Sequence, residues 1–116
     1  MKTTGKNNQR KKLLEKELEK MLFILKTEYK PEKIILFGSL ADGNVKEWSD
    51  IDLLIVKKSK KRFLDRIGEI IELCSPSVGT DFIVYTPEEF RRLAEEEPFI
   101  QEEILKKGTV LYEQQV

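Results

Sequence analysis

Histidine is missing altogether from the 116 residues. Its absence excludes a Ser-His-Asp triad, a histidine-ligated zinc site and an imidazole proton shuttle. Cysteine occurs once, at Cys74, so one chain can form neither a disulfide nor a cysteine metal cluster. Net charge is also lacking: 21 Lys and Arg balance 21 Asp and Glu, which leaves no global pull towards nucleic acid or a membrane surface. No run approaches the ~20 apolar residues of a membrane helix, and Met1-Lys2-Thr3-Thr4 opens onto no apolar signal core. The expected setting is cytoplasmic, and any acid–base chemistry there rests on carboxylates.

What is present describes a globular domain with a heavily charged surface, 40% hydrophobic and 36% charged. Residues 1–10, with Lys2, Lys6 and Arg10 beside Gly5, Asn7 and Asn8, are expected as a flexible basic N-terminal arm, solvated or touching nucleic acid. The folded domain is expected over 11–116. Leu14, Leu18, Met21, Leu22 and Leu25 recur at helical spacing and predict a helix from Lys11 to Tyr29, stopped by Pro31. Lys33 to Phe37 is a short apolar run suited to a strand buried on both faces, and Asp50 to Val56 predicts a second strand. A helix over 60–74 follows, with Phe63, Leu64, Ile67, Ile70, Ile71 and Cys74 assigned to one side, and then a third strand over 80–85. Thr86-Pro87-Glu88-Glu89 is a helix start, with Thr as cap, Pro at the first position and Glu at the third. A helix from Pro98 to Gly108 and a strand over 109–112 complete the chain. The expected class is α/β (α+β), a small mixed β-sheet flanked by helices.

Three features of this layout bear on chemistry. Asp50 and Asp52 are two apart on a strand, so their carboxylates leave the same side, with α-carbons roughly 6.6 Å apart. Left bare they repel each other, and one tends to take up a proton; Mg²⁺ relieves the conflict with hard oxygen ligands. By itself, a D-x-D reads as a solvated strand end. Its setting changes that, because the strand runs on into Leu54-Ile55-Val56 and Asp81 is another acid at the entry of an apolar strand. Gly38-Ser39, at the exit of the first strand, offers a sharp turn, a hydroxyl and backbone N–H groups to an anion. The Gly38 to Gly43 spacing matches the start of a P-loop, but Asn44-Val45 replaces the required Lys-Ser/Thr.

Taken together, Leu36-Phe37-Gly38-Ser39-Leu40-Ala41-Asp42-Gly43, Ser49-Asp50-Ile51-Asp52-Leu53-Leu54-Ile55 and the later Asp81 resemble the signature of the DNA polymerase β-like nucleotidyltransferases, especially the minimal nucleotidyltransferases (MNT). The resemblance implies the polymerase-β-like fold over 11–116 and two Mg²⁺ ions. It also implies transfer of a nucleoside monophosphate, AMP from ATP, onto a hydroxyl acceptor with release of pyrophosphate. By position, Asp50, Asp52 and Asp81 are the implied catalytic and metal-binding residues, with Asp81 helping to activate the acceptor. Gly38, Ser39 and Ser49 are the implied nucleotide-binding residues. Asp42 stands where many relatives carry Arg; facing the site it would repel a triphosphate, facing solvent it would be neutral. The alternative implied role is an antitoxin-type subunit that neutralises a HEPN ribonuclease toxin by complex formation or nucleotidylation, with the HEPN-domain protein as partner.

Lesser features have plainer readings beside their functional ones. The basic run 57–62 is a solvated loop or a receiver of RNA, phosphate or an acidic partner surface. Trp48 stacks on a base or packs its loop against the domain. Cys74 is a small buried hydrophobe, and the acidic C-terminal helices are a solvated surface or a dock for a basic partner.

Overall fold

Two almost wholly apolar stretches, Lys33–Phe37 (β1) and Ile51–Val56 (β2), form the centre of a four-stranded sheet in the computed structural model, which describes residues 2–115. Strands covered on both faces need no alternation of apolar and polar residues, and these two show little. Thr80–Tyr85 (β3) and Thr109–Glu113 (β4) complete the order β3-β2-β1-β4. β1 runs antiparallel to β2 and β4, whereas β2 and β3 are parallel. A parallel pair needs a crossover, supplied by the helix Phe63–Cys74 (α3). The sheet is mixed and flanked by helices, as the sequence predicts.

Each face of the sheet has its own helical cover. Lys2–Ile24 (α1) continues into a wider π-wound segment, Leu25–Tyr29, and stops where Lys30 turns left-handed (φ 54°) ahead of Pro31. Its Leu14, Met21 and Leu25 are fully buried with Ile34, Ile51, Leu53 and Ile55, and Ile70 and Cys74 of α3 complete that core. On the other face Pro87–Glu96 (α4) and the π-wound Ile100–Lys106 (α5) cover Ile35, Phe37, Leu54 and Val56. α4 opens with the expected capping box: the Thr86 hydroxyl accepts the Glu89 N–H at 3.2 Å, and the Glu89 carboxylate accepts the Thr86 N–H at 2.9 Å.

Two expectations are corrected. Over 2–10 the chain is helical rather than an irregular arm; Met1, the remainder of that expected arm, lies outside the described residues. Once Leu14 to Leu25 is packed, extending the helix backwards costs little per residue, and Arg10 is tied down by a hydrogen bond to the Ser49 carbonyl. In α3 the buried stripe is Arg66, Ile70 and Cys74, while Leu64 and Ile71 are exposed. Those two lie one position beyond the stripe, where apolar character does not guarantee contact. Phe63 instead stacks on Tyr85, ring centres 5.8 Å apart.

Candidate active site

The parallel register of β2 and β3 places Asp52 directly opposite Asp81. In-register neighbours on parallel strands point to the same side, so both carboxylates leave the face that carries Leu54 and Ile83 further along. Helices α4 and α5 cover the Leu54 and Val56 end of that face. At the other end Asp81 is exposed and Asp52 partly so.

Burial, then the hydrogen bond shared with Asp81, then the charges of Asp81 and Asp50 push the Asp52 carboxyl up to about 6. A carboxyl raised in this way lacks a cation, which is the condition a divalent metal relieves.

Two glycines make room for this crowding. β1 brings Phe37 opposite Asp52, and Gly38 follows in a left-handed conformation (φ 77°). A Cβ on Gly38 would collide with the Asp52 carboxylate. Gly79 does the same for Asp50: a Cβ there would meet its carboxylate, and the Gly79 carbonyl accepts the Ile51 N–H at 3.0 Å. Asp50 therefore sits just ahead of β2, propped on Gly79, rather than as the first residue of the strand.

After Gly38 the chain makes a single helical turn, Ser39–Asp42 (α2), whose first internal bonds run from the Ala41 and Asp42 N–H groups to the Gly38 carbonyl, both at 3.1 Å. The N–H groups of Ser39 and Leu40 lie ahead of those bonds at the start of the turn. Asp42 is exposed, and its carboxylate accepts the Asn44 N–H at 3.0 Å, so it closes the loop locally. Ser49 is buried, and its hydroxyl accepts the Lys46 N–H at 2.8 Å.

Asp50 also has a cation beside it that sequence reasoning missed. Arg10 donates through Nε to the Ser49 carbonyl at 2.8 Å and through one terminal nitrogen to Asp50 Oδ1 at 3.4 Å. The signal was available in the spacing: Arg10 is four residues before Leu14, on the buried stripe of α1. Gly79, between the helix over 60–74 and the strand over 80–85, carries no such signal in the sequence.

The structure thus joins Asp52 with Asp81 and sets Gly38 against Asp52, with Asp50 alongside but engaged by Arg10. Among the described residues no three acids, histidines or cysteines form a ready-made metal cage. The Asp52–Asp81 pair nonetheless fits Mg²⁺, which typically takes one or two carboxylates and completes its shell with water and phosphate oxygens.

Trp48 is three-quarters exposed, so it does not pack its loop against the domain. In the basic run, Lys57 is committed to the Tyr29 carbonyl at 2.6 Å and Lys61 to Glu69 at 3.0 Å. Cys74 is buried, which pushes its thiol up to about 11.

Comparison with known proteins bears on the family and the fold. The family model described as "Polymerase beta, Nucleotidyltransferase" matches residues 19–116. A 1.40 Å crystal structure of a Sulfolobus solfataricus protein assigned as a nucleotidyltransferase aligns with a TM-score of 0.58, covering 98% of this chain and 89% of that one at 21% identity. A likeness at that identity speaks for the fold. No curated protein matches the sequence at a significant level. Among the described residues no helix is long and apolar enough to cross a membrane.

Proposed function

Because this chain belongs to the polymerase β-like nucleotidyltransferase family, we propose that it transfers AMP from ATP to a hydroxyl acceptor and releases pyrophosphate. The observation that carries the reading is the Asp52–Asp81 pair, two carboxylates set opposite each other on parallel strands, with no ion-pair partner for either among the described residues. In the transfer the acceptor oxygen bonds to the α-phosphorus and the α-phosphorus-to-bridging-oxygen bond breaks. The acceptor proton goes to a carboxylate, and the pyrophosphate leaves with the bonding electron pair. Mg²⁺, two ions when bound, supplies positive charge for the polyphosphate and for the attacking oxygen.

This chain's residues divide the rest of the work. Asp52 and Asp81 hold metal, joined by Asp50 when its carboxylate is free. Asp81, the more exposed of the facing pair, receives the acceptor proton. Gly38 gives the phosphates access to the Ser39 N–H and hydroxyl, and Ser49 keeps Asp50 at the strand entry through its place in the 46–49 turn. A cytoplasmic setting, where ATP and magnesium coexist, suits this chemistry.

Calorimetry with ATP, CTP, GTP and UTP in Mg²⁺ tests the reading. The wild type is expected to bind ATP, and the double variant Asp50→Asn/Asp52→Asn is expected to lose that heat. Asp81→Asn is expected to keep nucleotide affinity while transfer falls by about 10²-fold or more, the usual scale of general acid–base assistance. No heat from the wild type, or equal heats from wild type and double variant, sinks the proposal.

A second reading, the antitoxin-type subunit for a helical HEPN partner, is favoured by the exposure of Phe23, Trp48 and Leu64. It expects a stoichiometric complex that survives Asp52→Asn, seen by size-exclusion chromatography.

A further inference from the structure

The geometry points to Arg10 as a polyphosphate-binding residue of this site, parked on Asp50 until a divalent cation takes that carboxylate. The inference rests on the nucleotidyl-transfer reading above and adds a residue from the N-terminal helix to it.

The two contacts of Arg10 are unequal. Nε donates to a backbone carbonyl, that of Ser49, at 2.8 Å; the terminal nitrogen reaches Asp50 Oδ1 only at 3.4 Å. The Asp50 side chain is about half exposed, that of Arg10 about one-fifth. The first contact is an anchor on fixed main chain, and the second is a long, wet ion pair that costs little to give up. A guanidinium carries five donors in a planar fork suited to phosphate oxygens, and among the described residues only these two contacts engage it.

Placement adds to this. Leu14, one turn along the same face, is fully buried, so Arg10 is presented from a rigid element. Beside it, a cavity of about 300 Å³ is lined by Lys6, Gln9, Arg10, Leu13 and Glu47. Lys6, one turn earlier on α1, brings a second positive charge to the wall of that space. A metal ion on Asp50 removes the partner of the terminal nitrogen while the Nε anchor stays. The guanidinium would then stay beside a metal held by Asp50, within reach of a polyphosphate bound to that metal.

The test compares wild type, Arg10→Gln and Arg10→Lys by titration with Mn²⁺ alone and with inorganic tripolyphosphate in Mg²⁺; circular dichroism confirms that each is folded. With Asp50 released, Arg10→Gln is expected to bind Mn²⁺ about threefold more tightly. It is expected to bind tripolyphosphate about tenfold more weakly, and Arg10→Lys to recover most of that affinity. A purely structural Arg10, docking α1 on the 46–49 turn, moves thermal stability and leaves both affinities unchanged or lowers both. Either of those patterns, or any other departure from opposite shifts, overturns the inference. Failure of the wild type to bind tripolyphosphate and ATP removes the transfer reading along with it, whereas intact wild-type binding with an unaffected Arg10→Gln removes only the role of Arg10.

Discussion

Glu89 and Asp52 are carboxylates packed against the same sheet with opposite surroundings. Glu89 accepts from both terminal nitrogens of Arg66, at 2.7 and 3.2 Å, and from the Thr86 N–H. The Arg66 guanidinium beside it holds its carboxyl below the usual range. Arg66 is itself buried, with four of its five donors engaged, donating also to the Lys61 and Val84 carbonyls. Glu17 follows the same pattern: burial pushes its carboxyl up, but hydrogen bonds from Lys20 and Ser77 outweigh that and lower it. Asp52 faces only other acids and is raised. An acid whose counter-charge is built in belongs to the architecture; an acid left without one, at the open end of a sheet, is a candidate for binding.

The comparison breaks most sharply at Arg66. Arg66→Met leaves Glu89 without its cation and is expected to cost about 3 kcal/mol, the scale of breaking a buried pair from one side. Urea unfolding measures this, and a loss below about 1 kcal/mol would show that the pair is not structural.

Asp52→Asn is expected to act in the other direction on the metal-free protein. It removes the crowded charge and raises stability at pH 7 by at most about 1 kcal/mol once solvent screening is allowed for, while abolishing Mg²⁺-dependent ATP binding. The two carboxyls also differ in the sign of their pH dependence. Asp52 is raised from its ordinary 3.8 to about 6, so the folded state keeps a proton that the unfolded chain has released. Its contribution is complete below the lower value and is lost as pH rises through the upper one. Glu89 is lowered from 4.5, so its contribution is present above that value and lost as pH falls through its folded range. Thermal melts of the wild type are expected to weaken on both sides, and Asp52→Asn to erase only the loss between about pH 4 and 6.

The smallest effect is expected at Asp42. Exposed and bonded to Asn44, it lies outside the contrast. Asp42→Arg should leave tripolyphosphate affinity within about twofold, as surface substitutions usually do; a marked gain would place residue 42 at the phosphates after all.

Much of this was legible from composition and pattern. The strands 33–37 and 80–85 fall where the apolar runs predict them, and the Thr86–Glu89 box starts α4 as its spacing requires. The acids Asp50, Asp52 and Asp81 could be singled out, because charges at the mouths of apolar strands are conspicuous. Arg66 was not legible: in a helix with Lys61, Arg62 and Asp65 before it, one more charge resembles solvent-facing surface. Arg10 was hidden by its polar neighbours Asn7 and Asn8, which discourage helix locally but not once a packed helix extends through them.

By itself the amino-acid order determined which segments are strands and helices and which carboxylates have no local partner, since both depend on neighbours a few residues away. Only the tertiary structure decided that β2 and β3 lie parallel with Asp52 against Asp81, that Gly79 yields its space to Asp50, and that Arg10 reaches Ser49 and Asp50 from 39 and 40 residues away. Such contacts are set by how the α1 and α3 covers close over the sheet, and local periodicity holds no information about which distant charges that closure brings together.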